Sequence, residues 1–441
     1  MTNPIERLKD SRKNKPRLVG TSTGTMGKGN KRKSNKGAKR PPYIPDDETI
    51  GGPDDRWMQP GPYPIGQGHT AIVRILGDGS HQKCFRQKWI DAYTWMLPRE
   101  IKGLQAMCGV HAPDYISSDA TSVTMTDAGV HLTAANMPDD WDSQIGTILQ
   151  TLEKAKIRHN DIIPRNMMLK DGQITLIDFS MSTIIGQPYH TPWPNKRLLK
   201  IVQRDADRVM LRRAINFILG RQEQWKEVNR AMATIGTILM PGSTTHKGMM
   251  YHDVPFNIIQ VTHRKHTGSR ASAIKAVYDL NNKTGLDLGC SVGGMLFWLN
   301  RLGATMIGVE RDPQAMRVAR ALRDYYAIKN VTFHNEKINN ALKRATKCDF
   351  VCYLSTFMWV LKEEGLEGAK ASLEKIGLIT DTLFFETSHG DAMAGGAVKA
   401  AGLDDKDKMD RLVMDCTGLT KMKELFIDKG WNNRRLVMFT R

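Results

Sequence analysis

No stretch of this 441-residue chain approaches the roughly 18 consecutive apolar residues of a membrane-spanning helix. Nor do its first charges lead into an apolar run of the kind a secretory signal carries. These absences predict a cytosolic chain with no transmembrane segment. Cysteine is scarce: six residues, Cys84, Cys108, Cys290, Cys348, Cys352 and Cys416, none in CxxC spacing. That excludes a disulfide framework and offers no zinc-ligand pattern. Cys348 and Cys352, beside the strand-like DFVCYL, read as buried thiols. The lack of an internal repeat excludes a solenoid. Acids are also short, 46 Asp and Glu against 64 Lys and Arg, and the deficit is concentrated at one end. The first 45 residues hold thirteen Lys or Arg against Glu6 and Asp10, and so supply eleven of the formal +18. Rich in Gly, Ser, Asn and Pro and without apolar periodicity, this segment reads as a disordered basic tail. Such a tail is either a solvated extension or an attractor for RNA, DNA, an anionic membrane surface or an acidic glycan.

The rest of the chain has what cores require. Hydrophobic residues make up 40%, and the length accommodates two to three domains. The Pro and Gly cluster from Pro41 to Pro64 reads as a linker. AIVRIL (Ala71 to Leu76), GDGS and HQKCFR then predict a β-hairpin. Helical periodicity follows near Ile90 to Met107 and from Asp142 to Lys156, with the strand-like SVTMT between them, and Leu198 to Met240 reads as mostly helical. From Ala271 onward helices and strands alternate, which predicts a largely parallel sheet covered on both faces. KELFIDKGW and RRLVMFTR read as a last helix and an edge strand.

Two constellations carry chemistry. In HNDIIPRN the order is His159, Asp161, Asn166, and Asp178 and Phe179 follow, Asp178 standing twelve residues after Asn166. This spacing fits the HxDxxxxN catalytic loop of phosphoryl transfer. Asp161 would orient or accept the proton of the attacking hydroxyl, while Asn166 and Asp178 offer hard oxygen ligands suited to magnesium. Upstream, GQGHTAIV sets Gly66 and Gly68 where a backbone loop can cover phosphates, with Ala71 where a third Gly often stands. Lys83 is the choice for a phosphate-contacting lysine, with Arg86 and Lys88 as alternatives, and Glu100 in PREIKGLQAM is its partner from a helix. TMTDAG (Thr124 to Gly129) would form a hinge that meets adenine. Residues 60 to 185 resemble the compact kinase-like fold of lipopolysaccharide kinases and related atypical small-molecule and glycan kinases. The resemblance implies ATP and Mg2+ as cofactors and Lys83, Glu100 and Asp161 as catalytic residues. It departs at Ser180, where DFS replaces DFG, and in having no APE-type element. A small or glycan acceptor therefore fits better than a protein one, and an inactive pseudokinase is the alternative.

The second constellation is TGLDLGCSVGGMLFWL. A strand ends at Asp287 and Leu288, and Gly289, Gly293 and Gly294 let the backbone turn against a cofactor before a helix. The pattern is DLGxxxGG rather than GxGxxG, and the next strand ends in GVERDP, where Glu310 can accept both hydroxyls of a ribose. Residues 265 to 441 resemble class I S-adenosylmethionine-dependent methyltransferases. The resemblance implies S-adenosylmethionine as methyl donor, held by Asp287, Gly289, Cys290, Ser291, Gly293 and Glu310. Ser355 and Met358 then lie where donor and acceptor meet. Asn335, Glu336 and Lys337 occupy the turn that faces adenine, and Asp349 reads as structural or functional. His389 is a general base or a plain loop histidine, and THKGMMYHDVPFNIIQ, with His246, Tyr251 and His252, is an acceptor cover or a packed flap.

The resulting expectation is an α+β two-lobed kinase-like domain (51–240, with a helical extension) followed by an α/β Rossmann-like methyltransferase domain (241–441), behind a disordered tail (1–50). The pairing is similar in content to the bifunctional kinase-methyltransferases that terminate bacterial O-antigen chains, with the domain order reversed. It implies phosphorylation and methylation of a glycan or other small hydroxyl-bearing acceptor. The competing readings are a nucleic-acid-directed methyltransferase with a kinase-like scaffold, and an interaction module built on two degenerate nucleotide folds.

Overall fold

In the computed structural model of the chain, residues 66–67, 70–107, 110–185, 206–239, 250–259, 261–264, 266–387, 396–428 and 434–441 are described. The basic tail, the Pro and Gly linker, Gly68, His246 and His389 lie outside them, as do the side chains of Tyr251 and His252. The described residues fall in one compact unit, which holds both constellations.

The first half of that unit opens on an antiparallel five-stranded sheet of order β1-β2-β3-β5-β4. The strands are β1 (Gly66–Gln67), β2 (Ala71–Ile75), β3 (His81–Phe85), β4 (Tyr115–Ser118) and β5 (Ser122–Met125). The predicted hairpin is β2 and β3, in register from Ala71 opposite Phe85 to Ile75 opposite His81. The predicted helix is two helices, Gln87–Ala92 and Met96–Met107. The second buries Leu97, Glu100, Leu104 and Met107 on one side, a 3.6-residue stripe turned toward the core.

Below this sheet, β6 (Val130–His131), β8 (Met167–Lys170) and β9 (Gln173–Leu176) pair antiparallel, and β7 (Ile157–Arg158) pairs with β10 (Thr183–Ile184). The helix Trp141–Lys154 packs across them through Ile145, Ile148 and Leu152. Helices Ala206–Ile218 and Gln222–Leu239 continue the chain, and a short parallel pair, β11 (Met250–His252) and β12 (Val261–Arg264), leads into the second half.

The second half is a seven-stranded sheet of order β15-β14-β13-β16-β17-β19-β18. Its strands are β13 (Thr284–Leu288), β14 (Thr305–Val309), β15 (Val331–His334), β16 (Phe350–Leu354), β17 (Thr382–Thr387), β18 (Lys421–Asp428) and β19 (Arg434–Thr440). Pairing is parallel from β15 to β17, and β19 then runs antiparallel to β17 and to β18. Strands covered on both faces carry near-continuous apolar runs, and every residue of TLFFET in β17 is buried. This is the α/β architecture that the alternating pattern predicts.

Three details differ from the sequence reading. KELFI belongs to strand β18 rather than a helix, and β19 is interior instead of an edge. Strand β18 is the edge, and its exposed positions, such as Met422, blur the alternation that would mark it as a strand. The helix expected near Ala369 to Ile376 runs from Phe357 to Ile379, broken by non-helical backbone at Gly365.

Candidate functional sites

In the first half, strand β3 and the helix Met96–Met107 bring Lys83 and Glu100 together. Lys83 Nζ lies 3.0 Å from Glu100 Oε1 and 2.8 Å from Asp178 Oδ1. Of the three cations near that strand, Lys83 is thus the one paired with Glu100. Lys83 and Glu100 are both buried, at 7% and 1% exposure. Burial works against the charge of Lys83, but Asp178 and Glu100 together hold it above the ordinary lysine range. Asp178 wins the competition for that ammonium. Burial opposes its ionisation too, yet Lys83 and the Ser180 hydroxyl hold its carboxyl well below the usual range. Glu100 is instead pushed up to about 7, by burial first and against the pull of Lys83.

Asp161 and Asn166 flank the same place. Asn166 Nδ2 donates to the Asp161 backbone oxygen at 2.9 Å and to Asp161 Oδ2 at 3.1 Å. With its nitrogen so occupied, the Asn166 amide oxygen is the atom left for a cation. Burial, and next the Asp178 charge, raise the Asp161 carboxyl to about 6, the range of a poised general base. His159 is not a second base. It is fully buried, its Nε2 lies 3.1 Å from the Ile177 carbonyl oxygen, and burial lowers its pKa. The loop is fastened by Asp207, whose carboxylate accepts the backbone N–H groups of His159 and Asn160, each at 3.1 Å. Sequence reasoning missed Asp207 because it stands far downstream at the start of another helix. Gly66 sits in β1, paired opposite Val73.

Among the described residues no group of three His, Cys, Asp or Glu side chains could hold a metal ion. The Asn166 and Asp178 oxygens form a sparser set. It fits magnesium, which keeps waters and phosphate oxygens among its ligands and needs only one or two carboxylates from the protein.

In the second half, the carboxyl ends of β13, β14 and β16 surround a cavity of about 440 Å³ lined by Asp287, Gly289, Cys290, Ser291, Glu310 and Ser355, among others. Gly289 has φ +79, and a Cβ there would come within 2.1 Å of Thr356, so only glycine serves this turn. Gly293 instead precedes the helix Gly294–Arg301 and packs against Phe297. Glu310 is oriented by two backbone donors, Ser291 N–H at 2.9 Å and Asp312 N–H at 2.8 Å. Asp287 is buried, and its Oδ2 has no hydrogen-bond partner among the described residues. Burial and then the Glu310 charge push it up to about 7. An orphaned carboxylate oxygen on the cavity wall suits a ligand that carries positive charge or a donor group, as a sulfonium amino acid does. Cys290 is a buried thiol with a raised pKa, so it offers shape rather than nucleophilicity.

Ser355 and Arg434, which also line the cavity, belong to a buried ionic cluster. Ser355, in left-handed backbone with φ 58, donates its hydroxyl to Glu386 Oε1 and accepts from Arg434 at 2.8 Å. Arg270 Nε donates to Glu386 Oε2 at 2.7 Å. Arg434 lines the cavity and was not found from sequence, since a guanidinium at the start of a late strand has no motif. Met358, expected beside Ser355, is 1% exposed in the core; the helix phase turns Trp359 to the cavity instead. Glu336 and Lys337 line the wall, and Asn335 Nδ2 holds the Glu310 backbone oxygen at 2.7 Å. Asp349 is structural. It accepts the Thr284 N–H at 2.8 Å and pairs with Lys283.

Residues 279–379 match the family model described as "Methyltransferase domain". Among solved structures, the chain is similar to the bifunctional kinase-methyltransferase WbdD, at 19% identity over 39% of each chain with a TM-score of 0.34. It is also similar to magnesium protoporphyrin IX methyltransferase (ChlM) from Synechocystis PCC 6803, at 17% identity over 40% of this chain and 79% of that one, TM-score 0.32. A third likeness, to EvdMO1, has 15% identity over 48% and 47% of the two chains and a TM-score of 0.34. The chain spans about two fifths of the WbdD chains it matches. No curated protein matches the sequence. Among the described residues no helix is long and apolar enough to cross a membrane.

Proposed function

We propose that the chain is a bifunctional transferase, with ATP-dependent phosphoryl transfer in its first half and S-adenosylmethionine-dependent methyl transfer in its second, acting on a glycan or other small hydroxyl-bearing acceptor. The observation that carries the first activity is the convergence of Lys83, Glu100 and Asp178, with Asp161 and Asn166 bonded to one another, from segments far apart in sequence. These are the parts phosphoryl transfer needs. A magnesium nucleotide, when bound, supplies the phosphoryl group. Lys83 offers its ammonium to phosphate oxygens, held in place by Glu100, and Asn166 and Asp178 supply the oxygens that hold the cation. Asp161 orients the acceptor hydroxyl and takes its proton.

Support for methyl transfer comes from the methyltransferase domain and from its cavity. S-adenosylmethionine, when bound, supplies an electrophilic methyl group. Glu310 accepts from ribose hydroxyls, Asp287 faces the charged amino-acid portion, and Ser355 and Arg434 border the acceptor end. Most of the rate then comes from holding the acceptor in line with the methyl group.

The test is incubation of the full chain with ATP, magnesium, S-adenosylmethionine and a panel of sugars and phosphoglycans, followed by mass spectrometry of the acceptors. Added masses of one phosphate and one methyl on a single molecule are the expected result. Asp161→Asn is expected to lower phosphate transfer by at least about 100-fold, the lower range for a lost general base, and to leave methyl transfer to a pre-phosphorylated acceptor intact. Phosphate transfer unaffected by that change would overturn the first assignment.

A further inference from the structure

The Ser that replaces Gly at position 180 has its own bond in the site. Ser180 is 2% exposed, in the tight turn Phe179–Met181, and its Oγ donates to Asp178 Oδ1 at 2.6 Å. The same oxygen accepts from Lys83 Nζ at 2.8 Å. Ser180 and Lys83 thus converge on one oxygen of Asp178.

Asp178 needs such support. Its backbone is left-handed, φ 67 and ψ 68, which a non-glycine residue keeps only where the surroundings over-determine it. Phe179, fully buried beside the His159 ring at 4.6 Å, fixes the backbone that follows. The carboxylate itself is held by two donors, and they differ in kind. Lys83 is a cation that a bound phosphate also attracts. Ser180 is a short neutral side chain two residues away, with no competing use in phosphate binding.

We propose that Ser180 is a positioning residue for the cation-binding carboxylate of Asp178, an inference that rests on the phosphoryl-transfer reading above. Its hydroxyl holds Oδ1 when Lys83 turns to phosphate, and so assigns Oδ2 to the metal ion. A glycine at this place would offer no side-chain donor to fix the carboxylate.

The experiment is calorimetric titration of the full chain with a non-hydrolysable ATP analogue, first in EDTA and then at graded Mg2+ concentrations. Ser180→Ala is expected to raise the Mg2+ concentration for half-maximal nucleotide binding about tenfold, the effect of losing one hydrogen bond to a charged group. Nucleotide affinity in EDTA is expected to stay within about twofold of wild type, and Ser180→Gly is expected to match Ser180→Ala. Thermal melting of each variant without ligand reports folding. A wild-type chain that binds nucleotide in a Mg2+-dependent way, with no change in Ser180→Ala, overturns the inference alone. Equal losses with and without Mg2+ make Ser180 a packing residue and also overturn it. A wild-type chain that binds no nucleotide overturns the phosphoryl-transfer reading and the inference together.

Discussion

At the scale of single residues, the cavity at the carboxyl ends of β13, β14 and β16 is marked by a carboxylate held against its solvation. Asp287 is raised to about 7, by burial and by Glu310 beside it. A ligand that brings positive charge favours the ionised carboxylate, so binding lowers the pKa of Asp287 and releases a proton. Affinity for S-adenosylmethionine is therefore expected to increase as pH rises through about 7 and to weaken below it. Asp287→Asn is expected to flatten that dependence and to cost about tenfold in affinity at pH 8, the size of one bond to a charged group. Calorimetric titration between pH 6 and 8.5 measures it, and an unchanged pH dependence in the variant would remove Asp287 from the donor site. Motif residues such as Asp287 and Glu310 are readable in sequence because backbone geometry at a strand end forces close spacing between them and their glycines. Arg434 and Glu386 are not. Their roles depend on which strand ends meet in space, and β19 reaches the cavity only because it inserts between β17 and β18.

At the scale of elements, period-based reading works where one face is buried and fails where burial is even or absent. The helix Met96–Met107 is visible as a stripe, and β2 and β3 as a hairpin around GDGS. Strand β18 reads as a helix because an edge strand buries little, and its register shifts between Glu424 and Phe426, which breaks the alternation. Cross-strand pairing shows its true state, with Arg435 of β19 bonded to Glu424 at 2.6 Å. Packing between elements is equally hidden. Gly103 reads as an ordinary helix glycine, yet a Cβ there would lie 2.4 Å from the Phe179 Cβ. The helix that carries Glu100 and the turn that carries Asp178 thus touch at a glycine. Gly103→Ala is expected to push them apart and cost about 1–3 kcal/mol despite the better helix propensity of alanine. Denaturant unfolding measures this, and a stabilised variant would show that the contact is yielding.

At the scale of the whole molecule, the sequence predicts two domains joined near residue 240, and the described residues of both lie in one compact unit. Aromatic and polar groups bind the halves. Asp142, at the start of the helix Trp141–Lys154, accepts from Asn257 N–H at 3.0 Å and from Tyr326 Oη at 3.2 Å. Tyr326 also stacks on Phe256, with ring centroids 3.8 Å apart, and on Trp141. Its neighbour Tyr325 donates its hydroxyl to Asn216, and Arg221 donates to the Tyr325 carbonyl oxygen at 2.7 Å. Both tyrosines end the helix Pro313–Tyr325 region whose other end begins beside Glu310, so the interface is one helix away from the donor cavity. None of this was legible in sequence, because the partners lie far apart along the chain and share no motif. Two halves joined by buried bonds should unfold together. A single calorimetric transition is therefore expected for the full chain. Asp142→Ala leaves the Asn257 N–H and the Tyr326 hydroxyl without their acceptor inside the interface, at a cost of about 1–3 kcal/mol for an unsatisfied buried group. It is expected to lower the common melting temperature and to begin to separate the transition into two. Two independent transitions in the unmodified chain would show instead that the halves fold separately and that Asp142 serves only its own helix.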